Sequence, residues 1–239
     1  MTNLKTILEL IDLTTLNDSD DNSSVESLCD NAITTFGSVA AVCVFSQFVP
    51  LAKSLLQNKV KVATVVNFPS GFTDIELVKY ETKLALDRGA DEIDLVYPYH
   101  QLLKGHDTIA INMIREVKRL CQNKKLKVII ESGILNKESL IEKATIISID
   151  NGADFIKTST GKVSVNATIE AAQVILNTIK KKNINIGFKA SGGIKSIDYA
   201  MEFINLAESI MGKDWVNKDH FRFGASILLN KILQEFHSL

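Results

Sequence analysis

The chain holds only three cysteines, Cys29, Cys43 and Cys121, odd in number and widely spaced, which fits neither a disulfide framework nor a zinc knuckle. They read as free thiols, with Cys43 inside a strand as a core residue. No apolar stretch reaches membrane-spanning length, and Met1-Thr2-Asn3-Leu4-Lys5 lacks the apolar run of a signal peptide. A cytoplasmic protein with no membrane partner is therefore expected. An excess of one charge is missing too: 27 Lys and Arg stand against 28 acidic residues, without a basic stripe or tail, so nucleic acid is not an expected partner. There is no linker, low-complexity tract or break in composition, and residues 1–239 read as a single domain whose 46% apolar content can fill a core.

What is present is a repeating strand-helix unit. After a short amphipathic helix over 2–10, β-prone runs fall at 11–16, 39–45, 60–68, 92–97, 127–132, 155–158, 186–190 and 221–224. Helical patterns follow them at 24–36, 48–57, 75–88, 108–123, 137–151, 167–182, 197–211 and 226–236. Gly37, Gly89 and Gly152 act as stops, Thr73 as an N-cap, and Ser226 opens the last helix. Eight such units over this length specify a (β/α)₈ TIM barrel with a short N-terminal helix. An open doubly wound sheet is the alternative, but no Gly-x-Gly-x-x-Gly turn follows the first strand.

The chemistry centres on Phe155-Ile156-Lys157-Thr158-Ser159-Thr160-Gly161-Lys162, which drives a lysine into an apolar strand and follows it with small hydroxyl residues. A lysine snorkelling to solvent would be the plain reading of that strand taken alone. Two companions argue otherwise: Gly187-Phe188-Lys189-Ala190-Ser191-Gly192-Gly193, and Asp91-Glu92-Ile93-Asp94, with Asp94 inside its strand as Asp12 is inside the first. A buried ammonium is costly unless paired or deprotonated, so a chain that keeps one is usually using the amine. In a barrel the three residues meet at the carboxyl ends of the strands, where the charge of Lys189 is expected to lower the pKa of Lys157. A neutral amine attacks a carbonyl to form an iminium, an electron sink for making or breaking a carbon-carbon bond, while Asp94 shuttles protons. The loops carrying Gly192, Gly193 and Ser226 present backbone N–H groups where barrels hold phosphate, and Thr160 and Lys162 add a hydroxyl and a cation.

These residues resemble the deoxyribose-phosphate aldolases, class I aldolases, nearly end to end: Ile11-Asp12-Leu13-Thr14-Thr15-Leu16, Val42-Cys43-Val44, Val66-Asn67-Phe68-Pro69, Asp91 to Asp94, Phe155 to Lys162, Gly187 to Gly193, and Arg222-Phe223-Gly224-Ala225-Ser226. The resemblance implies Lys157 as the Schiff-base lysine, Asp94 and Lys189 as the proton donor and acceptor pair, and Asp12 and Cys43 as lining the site. It implies reversible cleavage of 2-deoxyribose 5-phosphate into glyceraldehyde 3-phosphate and acetaldehyde, with no metal and no cofactor. The expected partners are those small molecules, with a homodimer as one option. The chain departs from the family at Lys195, where many relatives carry arginine, at Ile227, where some carry a second serine, and in its short ending at His237-Ser238-Leu239. Lysine in place of arginine would turn a bidentate grip into a point charge.

Two other readings stand beside this one: a Schiff-base lyase acting on another phosphorylated sugar, and a barrel that only senses a sugar phosphate. Trp215, His220 and Met211 read as packing or surface, and Lys180-Lys181-Lys182 as a solvated helix end. Incubation with acetaldehyde and borohydride should add mass to a peptide containing Lys157. An adduct only on Lys189 would reverse the assignment, and none at all would favour the sensor.

Overall fold

A computed structural model describes residues 2–238. It is a closed barrel of eight parallel strands: β1 (Ile11–Thr14), β2 (Ala41–Val44), β3 (Lys61–Val66), β4 (Glu92–Val96), β5 (Lys125–Ile129), β6 (Phe155–Lys157), β7 (Gly187–Ser191) and β8 (Phe221–Ala225). Each strand pairs with the next, and β8 returns to β1 with Ile11 opposite Phe223 and Asp12 opposite Gly224. The (β/α)₈ reading is thus met, including the N-terminal helix at Thr2–Glu9. No helix among the described residues is long and apolar enough to cross a membrane.

Strand alternation decides which side chains enter the barrel. Ile156, Phe188, Phe221 and Phe223 join the main apolar core, which also takes in helix residues such as Ile175, Phe203 and Ile232. Their neighbours in sequence, Lys157, Lys189 and Arg222, take the opposite face of the same strands and are nonetheless buried. Register then aligns them: Lys157 pairs with Lys189, and Lys189 with Arg222. A small separate cluster of Leu16, Cys43, Ala63 and Val65 fills the part of the barrel contributed by β2 and β3.

The structure corrects several expected boundaries. The helix expected over 24–36 stops at Asn31, and Ile33–Thr34 pairs with Gly37–Ser38 in a small hairpin. The β-branched run Ile33-Thr34-Thr35 disfavours helix, and the Thr34 hydroxyl serves the turn by donating to Gly37 O and accepting from Phe36 N. The N-cap of the helix at Ile75–Asp87 is Asp74, not Thr73. The last helix begins at Leu228, so Ser226 stands in the loop before it. The fifth strand runs from Lys125 to Ile129, two residues earlier than expected at its start, which moves Lys127 from a strand end to mid-strand.

Gly187 sets a packing constraint close to the site. A Cβ there would stand 2.4 Å from the ring of buried Phe155, and Phe155 is paired to it in register. Gly187→Ala should therefore destabilise the fold by roughly 1–3 kcal/mol, as overpacked cores do. Denaturant unfolding measures this, and an unchanged midpoint would show that the ring can move aside.

Candidate active site

Seven charged side chains from β1, β4, β5, β6, β7 and β8 converge inside the barrel: Asp12, Glu92, Asp94, Lys127, Lys157, Lys189 and Arg222, all buried. Asp94 is the hub. Its Oδ2 accepts from both Lys157 Nζ and Lys189 Nζ at 2.9 Å, and its Oδ1 accepts from Lys127 Nζ at 2.8 Å. Asp12 is the second junction, taking Lys189 on Oδ2 and Arg222 on Oδ1 at 2.6 Å. Glu92 lies 2.6 Å from Lys127 and 3.4 Å from Arg222. Sequence reasoning found Asp12, Asp94, Lys157 and Lys189, and the structure brings all four together. It missed Glu92, Lys127 and Arg222.

Three carboxylates thus face four cations, so full ionisation leaves one positive charge without a counterion. Removing charges from water is expensive, and a buried network tends towards neutrality by deprotonating its most weakly held cation. The pKa directions identify that cation. Burial pushes Lys157 down and Lys189 adds to the fall, with Asp94 opposing but not reversing it. For Lys127 and Lys189 the same burial is outweighed by carboxylates, Asp94 and Glu92 for the first and Asp12 and Asp94 for the second, and both are raised. Arg222 is likewise raised against burial, by Asp12 and Glu92. Asp12 and Asp94 are pushed up by burial but pulled below the usual carboxylate range by the surrounding cations. Lys157 is thus the member of the network with the weakest hold on its proton. The expectation that Lys189 lowers it holds in sign, but desolvation is the larger cause.

Cys43 is fully buried with Leu16, Ala63 and Val65, and its thiol is pushed up by burial and then by the Asp94 carboxylate. It is a neutral wall rather than a nucleophile.

Above the network opens a cavity of about 240 Å³ at the carboxyl ends of β1, β6, β7 and β8. Thr160, Lys162, Gly192, Gly193 and Ser226 all line it, so the five loop residues picked from sequence share one space. Lys195 and Ile227 line it as well. Two observations place the network directly beneath: Leu16 belongs both to the cavity wall and to the cluster around Cys43, and Lys189 Cε comes within 3.2 Å of where a Cβ would sit on Gly224, another wall residue. Gly192 and Gly193 both have left-handed backbone, at φ 82 and 81. That region favours glycine at both positions, and the absence of side chains leaves their backbone open to whatever enters the cavity. A Cβ on Gly192 would also meet Asn166 at 2.7 Å, whereas Gly193 has open space around it.

A parallel barrel that gathers an amine of lowered basicity, a shared carboxylate and a glycine-lined cavity at its carboxyl ends has the architecture of a barrel lyase. A sequence profile described as DeoC/LacD family aldolase matches residues 6–234, and the chain belongs to that family. Solved structures agree. A protein from Toxoplasma gondii ME49, described as a candidate deoxyribose-phosphate aldolase in its apo form, is 26% identical over all of this chain and 97% of its own, with a TM-score of 0.92. A second candidate deoxyribose-phosphate aldolase, from Coccidioides immitis, is 30% identical over 95% of this chain and 86% of its own, with a TM-score of 0.85. A structure described as QR15, an aldolase, is 29% identical over 98% of both chains, with a TM-score of 0.83.

The charge tally makes a test. Lys127→Met removes the cation on Asp94 Oδ1, leaving three carboxylates and three cations, so Lys157 is retained as a cation and its pKa rises. At a pH below that pKa, each unit of rise leaves about tenfold less neutral amine. The acid limb of acetaldehyde trapping by borohydride, followed against pH in folded variant, should move to higher pH by about one unit or more. A limb that does not move would show that the tally does not govern Lys157.

Proposed function

We propose that this aldolase reversibly cleaves 2-deoxyribose 5-phosphate to glyceraldehyde 3-phosphate and acetaldehyde, with Lys157 as the Schiff-base residue. The observation that carries the reading is the surplus cation. Lys157 alone among the three barrel lysines is shifted towards the neutral form, and it shares Asp94 Oδ2 with a lysine shifted the other way. The likeness to proteins described as candidate deoxyribose-phosphate aldolases supports the choice of substrate.

The neutral Lys157 amine adds to C1 of the open-chain aldehyde, and loss of water leaves an iminium. The C3 hydroxyl then gives up its proton as the C2–C3 bond breaks. Its oxygen becomes the aldehyde of glyceraldehyde 3-phosphate, and the bonding pair moves into the iminium to form an enamine. A proton delivered to C2 regenerates an iminium, which water hydrolyses to acetaldehyde and free Lys157. Asp94 and Lys189 are suited to moving these protons. One carboxylate oxygen bridges the two amines at 2.9 Å each, so a proton passes between Lys189 and the region of Lys157 without either amine moving. Lys189, raised and paired with Asp12, remains the protonated donor.

The phosphate, carried on C5 at the far end of the sugar from C1, is assigned to the cavity. Gly192, Gly193 and Ser226 offer backbone N–H groups, Thr160 a hydroxyl, and Lys162 and Lys195 charge. Two lysines without an arginine make this an electrostatic grip rather than a bidentate one. Lys162→Glu should raise KM for 2-deoxyribose 5-phosphate by about tenfold or more, and KM for unphosphorylated 2-deoxyribose far less, since opposite charge in place of attraction costs on the order of 1 kcal/mol or more. Equal effects on both substrates would make Lys162 structural, and wild-type protein that releases no acetaldehyde from the phosphorylated sugar would sink the substrate assignment.

A further inference from the structure

One buried carboxyl makes its hydrogen bonds outside the network described above, although it feels the charge of Lys157. Glu131 follows β5, is fully buried, and has left-handed backbone at φ 53 and ψ 57. Non-glycine residues enter that region at a cost, so such a position is held by what its side chain or neighbours require. Here the side chain reaches across to the loop after β6. Both Glu131 oxygens accept from the Thr160 backbone N–H, at 3.3 Å each.

That contact has a particular place in the loop. Thr158 is fastened to the barrel by Ser132 N donating to its carbonyl, by its own N donating to Lys189 O, and by its hydroxyl, which exchanges hydrogen bonds with the Ser191 backbone. Past Thr160 the bonds turn local. Lys162 N donates to Thr160 Oγ1, and Asn166 Nδ2 donates to Val163 O. Glu131 therefore supplies the last hydrogen-bonded tie from the barrel to the loop before the chain reaches Lys162. The next residues of the same segment support the loop from below: a Cβ on Gly133 would stand 1.9 Å from Val165 O.

We propose that Glu131 is a positioning residue that acts through the Thr160 amide to hold Thr160 and Lys162 at the phosphate end of the cavity. The inference rests on the assignment of substrate phosphate to that cavity. It makes the acceptor atom the essential feature of Glu131, and its charge secondary. The competing role would be direct electrostatic action on the Schiff-base amine. Glu131 faces Lys157 closely enough to feel its charge, and Tyr99 and Thr160 are its other polar neighbours. Burial pushes the carboxyl up, while Thr160 and then Lys157 hold it down.

Two conservative variants separate these roles. Glu131→Gln keeps an acceptor at the same reach and removes the charge. Glu131→Asp keeps the charge and draws the acceptor back by one methylene. If the acceptor positions the loop, Glu131→Gln should keep the wild-type ratio of KM for 2-deoxyribose 5-phosphate to KM for 2-deoxyribose. Glu131→Asp should raise that ratio by about tenfold, the scale of one hydrogen bond to a charged group. Rescue of the ratio by Gln but not by Asp is the expected result. The opposite order, or equal losses on both substrates with a shifted pH profile of borohydride trapping, would assign Glu131 to Lys157 instead and overturn the proposal. An unchanged ratio in Glu131→Asp would overturn it as well. Binding of inorganic phosphate, followed by ³¹P NMR, reads the same loop without turnover. If wild type fails to cleave the phosphorylated sugar yet binds phosphate, the substrate assignment fails, and weaker phosphate binding by Glu131→Asp than by Glu131→Gln would still support the positioning role. Absence of phosphate binding by wild type would overturn both.

Discussion

The carboxylate of Asp94 is the constraint on which the rest depends. Placed at the axis of a closed barrel, it must satisfy three ammonium groups with two oxygens, and the geometry gives Lys127 sole use of one and divides the other between Lys157 and Lys189. Asp12 and Glu92 add further hold to Lys127 and Lys189, whereas among the described residues Lys157 is ion-paired to the shared carboxylate alone. An inequality of partners becomes an inequality of basicity. No unusual residue is needed; the same side chain type sits on three strands, and counterions decide which copy is the base.

This arrangement also explains the division of the barrel interior. Beside the charged network stand Leu16, Cys43, Ala63 and Val65, small and apolar, drawn mostly from β2 and β3. They keep water from the carboxylate-lysine cluster on that side and maintain the desolvation that lowers Lys157. The loops after β6, β7 and β8, by contrast, leave the barrel mouth open and lined with glycine, hydroxyls and two lysines. The buried amines and the glycine-lined cavity therefore occupy different depths of one shaft.

The fold was legible because each strand-helix unit carries its own local signal, apolar runs of strand length alternating with helical period. The site was legible where a charge interrupted an apolar strand at its carboxyl end, as at Asp94, Lys157 and Lys189. The same signal was present at Arg222, between Phe221 and Phe223, but that residue sat in a motif and was not weighed as a charge within a strand. Glu92 is the first residue of its strand and Lys127 read as the first of its own, a place where charges commonly face solvent, and tertiary pairing buries both. Glu131 offered no local signal at all, since its backbone conformation and its reach to Thr160 arise only when β5 and β6 lie side by side. The early end of the helix at Asn31 reflects a conflict between an apolar period and β-branched residues that the hairpin resolves.

Barrel closure carries a consequence for the order in which this protein becomes competent. Asp12 and its partner Arg222 are 210 residues apart, and Lys189 binds an aspartate 177 residues before it. Contacts so distant in sequence form late, because the entropy of closing the loop between them must be met before they contribute. A chain still emerging from the ribosome, with β8 not yet made, has an open seam between β1 and β7, and its interior lysines remain wet and fully basic. The low basicity of Lys157, which burial lowers first, is thus a property of the sealed cylinder rather than of any segment of the chain.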